Sequence, residues 1–221
     1  MPSTKVVDIL DRASIILQDD THVRFPQAEL LKFFNDAQLE IVLHRPDANI
    51  VNATLSLADG SKQTIPSAAL RLVDVVRNTN GRAITQVSRQ ILDETLPTWH
   101  ETPASANKIE HYIYDPADPK NFYVYPKAES GVHSIEILYS AVTATISISN
   151  FSTDTTVIGI DDIYANAVLD YILYRAYQKD SEFAGNAERA MMHYGSFSNA
   201  IGIKSQADGA LTPTPEQGVR R

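Results

Sequence analysis

The chain contains no cysteine. That excludes a disulfide framework, a thiol nucleophile and any cysteine-ligated zinc or iron–sulfur site, and it suits a reducing cytosol. Positive charge is also scarce. Against 27 aspartates and glutamates stand 19 lysines and arginines, a formal charge of −8, so the surface as a whole offers nucleic-acid phosphates no general attraction. No run of about 18 apolar residues occurs, and no membrane-spanning helix is expected. The opening "MPSTKVVDIL" lacks a basic segment followed by an apolar one, so neither a secretory leader nor a lipid-attachment signal is expected. Nine glycines are present, none in GxGxxG or P-loop spacing; Gly60-Ser61-Lys62 reads as the far side of a hairpin turn. What remains is ordinary globular material. The 221 residues are 43% hydrophobic and 21% charged, enough to bury a core as one large domain or two small ones.

Along the chain the texture runs helix, strand, helix. Ser3 is a candidate cap for a first helix reaching about Gln18, with Val6, Ile9, Leu10, Ala13, Ile16 and Leu17 on one face. Pro26 suits the start of a second, with Leu30, Phe33, Phe34, Ala37 and Ile41 as its stripe and Pro46 as its stop. From about Ile50 the pattern alternates. Asp59-Gly60 and Asn80-Gly81 predict two hairpins, and "KIEHYIYDPADPKNFYVYP" predicts a third; "RQILDETLPTW" reads as a short helical turn and "HSIEILYSAV" as a further strand. The Ser/Thr-rich 141–158 stretch reads as an extended strand or a long excursion.

Helices return at Asp161, run to about Phe183, and resume in "NAERAMMHYGSFSNAIG", where Ala187, Ala190, Met191, Tyr194, Phe197, Ser198 and Ile201 line one side. The polar, Pro- and Gly-containing end reads as a flexible tail. The fold class expected is α+β: a bundle of terminal helices (1–48 and 160–203), a β-hairpin-rich antiparallel insertion (49–159) and an extended C-terminal arm (204–221).

"IDDIYANAVLDYILYRAYQKD" is apolar on two sides. At about 100° per residue, Ala165, Val168, Leu169, Ile172, Leu173 and Ala176 share one face. Tyr164, Tyr171 and Tyr174 share the other, with Tyr177, Asp170 and Arg175 beside them. Arg175 is placed to stack on Tyr171 or to reach neighbouring carboxylates. Tyrosine has an apolar body and a polar tip, so something must cover this face. It is either a second buried face within the chain or a subunit interface, where tyrosine and arginine are enriched.

Catalytic signatures are missing. His22, His44, His100, His111, His133 and His193 are scattered, without HExxH. No GxSxG elbow occurs. Glu110, Asp115 and Asp118 cluster near the third hairpin, as a solvated turn or as a carboxylate pair of the kind glycosidases use. Trp99, the single tryptophan, reads as a core anchor. The basic residues are too dispersed for a nucleic-acid platform.

Five stretches in this order resemble the adaptor, or head–tail connector, proteins of short-tailed bacteriophages, the tail tubular protein A group among them. They are "LLKFFNDAQLEIVLHRPDA", "LRLVDVVRN", "ITQVSRQILDETLPTW", "FYVYPKA" and "VLDYILYRAYQKDSEFAGNAERAMMHYGSF". The resemblance implies a structural virion protein rather than an enzyme, with no cofactor or metal, made in the host cytoplasm. It implies a ring of roughly twelve copies between portal protein and tail nozzle, around a channel through which double-stranded DNA passes unread. On that reading Tyr164, Asp170, Tyr171, Tyr174, Arg175 and Tyr177 meet a neighbouring copy, and the acidic balance suits a DNA passage because like charges repel. Terminal arms of such proteins grip neighbours or portal, a role that falls here to Pro213, Pro215, Arg220 and Arg221. The alternative is a tail-associated glycan hydrolase using the carboxylates near Asp115 and Asp118.

Overall fold

A computed structural model of the chain describes residues 2–79, 81–102, 108–183 and 185–211. The fold is α+β and divides into two compact units, Met1–Arg45 with Thr143–Arg221, and Pro46–Val142.

The first unit is helical. Helix α1 (Val6–Leu17) buries Val6, Ile9, Leu10 and Ala13, while Ile16 stays 43% exposed. Ser3 does not cap it; the cap position is Lys5. The backbone N–H and the hydroxyl of Ser3 donate instead to the Asp162 carboxylate, as does the Thr4 N–H. Helix α2 (Gln27–His44) stops at Arg45, ahead of Pro46, and buries Leu30, Phe34, Ala37 and Ile41. Asp161 accepts from the Ile163 N–H and starts a 3₁₀ turn that leads into α4 (Ala165–Lys179). Helix α5 (Asn186–Leu211) runs well past Gly202. The first residues of the expected 204–221 arm are therefore helical, and Pro213, Pro215, Arg220 and Arg221 lie outside the described residues. Helix α4 is central, touching α1, α2 and α5.

Residues 143–159 belong to this helical unit, not to the β insertion. They form no long strand. The Asn35 side chain bonds both N–H and C=O of Ile146 at 2.9 Å, and the Gly159 N–H donates to Gln38 Oε1 at 2.7 Å. Val157 bridges to Lys5, flanked by Val6 N–H to Thr156 C=O and Ile158 N–H to Thr4 C=O. Side-chain amides on α2 supply the partners that a strand ladder would otherwise provide.

The second unit holds two sheets. Strands β1 (Ile50–Ser56), β7 (Ser134–Ala141) and β3 (Ala69–Asn78) form an antiparallel sheet with β7 in the middle. Strands β2 (Gly60–Thr64), β6 (Asn121–Ala128), β5 (His111–Tyr114) and β4 (Thr85–Gln86) form the other, with β4 parallel to β5. Alternation on β7 and β6 points Ile135, Ile137, Phe122 and Val124 into one shared core, each fully buried. On the outer side of β5–β6, Trp99, Leu92 and Ile113 make a smaller core, supported by α3 (Arg89–Thr95).

The β5–β6 hairpin and the short helix α3 stand where the sequence places them. The Asp59-Gly60 hairpin does not. Gly60 takes the left-handed φ of +99° that the turn requires, yet β1 pairs with β7 and β2 with β6. The turn carries the chain from one sheet to the other; turn chemistry is the same in both cases, and long-range pairing decides. Around Gly81 the return is a single bridge, Arg77 to Ala83, rather than a full strand pair. Asn80 lies outside the described residues.

Candidate functional site

The two-sided helix is resolved inside the chain. Helix α5 lies over the tyrosine face of α4, and its inward stripe is Ala190, His193, Phe197 and Ile201. Phe197 meets the Tyr171 ring at 5.1 Å and Tyr194 meets Tyr174 at 5.0 Å. His193 stacks flat on Tyr177 at 5.7 Å, and its Nδ1 is hydrogen-bonded to Asp170 Oδ1 at 2.9 Å. The Arg189 guanidinium lies 5.7 Å from the Tyr177 ring. Each aromatic pair contributes about 0.5–1.5 kcal/mol beyond burial. Burial raises the Tyr171 phenol above its ordinary pKa.

Of the two covers the sequence left open for this face, the chain itself supplies one for much of it. Tyr164, Tyr171 and Tyr177 are under a tenth exposed and need no second subunit for cover. Asp170, Tyr174 and Arg175 remain partly exposed at the margin. Arg175 does not stack on Tyr171; its guanidinium sits 5.8 Å from the Phe33 ring of α2.

Uncovered apolar surface lies elsewhere on the helical unit. Helix α5 turns Met191 (77% exposed), Met192 (67%) and Tyr194 (44%) outward; α2 presents Leu39 and Leu43 (69%), and α1 presents Ile15 and Ile16. Between the end of α2 and α5 a cavity of about 300 Å³ is lined by His44, Arg45, Tyr194, Phe197, Ser198, Ile201 and Gly202. Sequence periodicity assigned Met191 to the inner stripe, a place His193 takes. A signal was nevertheless available. Met191 and Met192 are adjacent and cannot both face inward, and Leu39 and Leu43 sit one turn apart, off the stripe of Phe34, Ala37 and Ile41.

The carboxylates considered for glycan hydrolysis serve the β5–β6 turn. Asp115 Oδ1 accepts from the Ala117 N–H at 2.9 Å, and Asp118 accepts from the Asn121 amide at 2.8 Å. Glu110 faces Arg82 at 3.8 Å. Among the described residues no group of three or more His, Asp or Glu could hold a metal ion, and no helix is long and apolar enough to cross a membrane. Trp99 is the core anchor expected: fully buried, donating from Nε1 to Asp93 at 2.9 Å and stacked 3.6 Å from His100.

The kinship of the chain gives its class. A family model described as SU10 adaptor protein matches residues 4–216. The chain belongs to the SU10 adaptor protein family. This is a phage head–tail adaptor family, so the adaptor is a structural component of a phage particle. No curated protein matches the adaptor's sequence.

Proposed function

We propose that this adaptor assembles into a ring of roughly twelve copies, seated between portal protein and tail nozzle, around the channel through which double-stranded DNA leaves the head. The observation that carries this reading is the family match over residues 4–216. The surface agrees with it. A closed ring uses two different patches of each subunit, one meeting the other on the next copy. Apolar residues stand exposed on separate helices, Leu43 and Met191 on one set and Ile15 and Ile16 on α1. Tyr174, Asp170 and Arg175 add a polar rim of the kind that borders subunit contacts. Closure makes individually weak contacts cooperative. The formal charge of −8 lets DNA slide without binding.

The arm that would grip a neighbour or portal is carried by Pro213, Pro215, Arg220 and Arg221. No reaction is assigned.

Replacing Leu43 and Met191 together by glutamate tests the interface. Both side chains are mostly in solvent, so the change in subunit stability should stay within about 0.5 kcal/mol per site. Sedimentation velocity in the presence of portal should show the unaltered adaptor in a large complex and the variant free. A variant that assembles as well as the parent removes this surface from the proposal.

A further inference from the structure

Two open sheets leave strand edges in the β unit, and all but one are closed to a further strand. Strand β4 offers two residues. Strand β2 carries the exposed Lys62 and a break in its register against β6. Strand β3 carries Arg71, Asp74 and Arg77, shifts register against β7 in three places, and has the Ala83 bridge alongside it. Short length, charge and irregular register are the devices that keep an edge from pairing with another chain. Strand β1 has none of them. Its seven residues, "IVNATLS", include no charge, proline or glycine, and they pair with β7 in unbroken register. Its core side is unfinished as well. Val51, Ala53 and Leu55 face the shared core but are only partly buried, whereas Ile135 and Ile137 on β7 beside them are fully buried.

The phase of the ladder says which backbone groups are free. Leu57 N–H donates to His133 C=O at 3.0 Å and continues the β1–β7 register. Bonded residues alternate along an antiparallel strand, so Val51, Ala53 and Leu55 bond to β7, and the N–H and C=O of Asn52 and Thr54 point to the open edge. We infer that this edge receives β1 of a second copy, antiparallel, with Ala53 opposite Ala53 on a two-fold axis. The strand is its own complement in that register. Asn52 and Thr54 exchange backbone hydrogen bonds, Val51 meets Leu55 on the core side, Ile50 faces Ser56, and no like charges are opposed. Two three-stranded sheets become one of six strands, and the partly buried core edge is covered. A two-fold contact closes on itself and does not recur around a head-to-tail ring. The pair is therefore a form of the adaptor outside the ring, and it stands apart from the ring reading.

The chain has no cysteine, so Ala53→Cys introduces a single thiol. Opposed residues at a non-hydrogen-bonded position bring their Cβ atoms to about 4.5 Å, within disulfide reach. Under mild oxidation Ala53→Cys should become a disulfide-linked dimer, with Val23→Cys, at a position 82% exposed in the helical unit, giving the collision background. A yield no higher than that background overturns the inference. Sedimentation velocity supplies the second readout and covers a cysteine variant that fails to fold. The unaltered chain should pass from one copy to two as concentration rises, and Thr54→Pro should stay single, because proline removes an N–H that faces away from β7 and is tolerated at such a position. The variant with Leu43 and Met191 both changed to glutamate should still pair. A chain that stays single at every concentration, a Thr54→Pro variant that pairs as its parent does, or a pair lost in the double glutamate variant each overturns the inference.

Discussion

Several carboxylates of this adaptor hold loops through N–H donors. The Thr4 and Ser3 groups around Asp162 hold its carboxyl far below the usual carboxylate range. Asp19 is lowered by the Phe25, Val23 and Arg24 N–H groups, Asp93 by the Trp99 indole and Arg89, and Glu136 by Arg77 and Asn52. A group whose folded pKa is depressed contributes stability that is fully present above its unfolded value, about 4. That share is lost as pH falls through the folded value. The melting temperature should therefore drop as pH is taken from about 5 downward, and Asp162→Asn should flatten part of the slope. Hydrogen exchange at Ser3 and Thr4 should speed up in that variant with the rest of the pattern unchanged; unchanged exchange there would contradict the clasp. Trp99 gives a second residue-scale test. Being buried and alone of its kind, it should emit blue-shifted fluorescence that acrylamide quenches poorly, and Trp99→Ala should cost about 3–5 kcal/mol by chemical denaturation.

At the scale of elements, the decisive contact is α5 on α4. Phe197 is 2% exposed against Tyr171, and Phe197→Ala should destabilise the helical unit by about 3–5 kcal/mol. Met191→Ala, four-fifths in solvent on the same helix, should stay within about 0.5 kcal/mol. Equal costs at the two positions would mean that the inward face of α5 is misassigned. The helices themselves were legible, because stripes such as Val6, Ile9, Leu10 and Ala13 repeat at a period only an α-helix matches. The tyrosine face showed that a cover was required but not whose: burial by α5 and burial by another subunit select the same residue types. Strand pairing was less legible. Asp59-Gly60 bends the chain equally well within a sheet or between two, and only the distant β6 and β7 settle which. The 143–159 segment looked like a strand or an excursion because its anchors, Asn35 and Gln38, sit more than a hundred residues away. Leu39, Leu43 and Met192 fall off the stripes read from the sequence, whereas Met191 is placed by periodicity in the inner one and stands outward instead.

At the scale of the molecule, a helical unit with surplus apolar surface and a β unit with an open strand edge suit a part in a larger assembly. In the proposed ring, the exposed methionines and leucines of the helical unit are where copies meet. The acidic balance adds a salt dependence. DNA should bind the assembled adaptor weakly at ordinary ionic strength, and a gel-shift assay that found tight binding would contradict the passage role. The most direct measurement is electron cryomicroscopy of the adaptor bound to portal. The account predicts a closed ring of identical copies with Leu43 and Met191 of each buried against the next. Single copies on the portal, or a ring that leaves those two side chains in solvent, would contradict it.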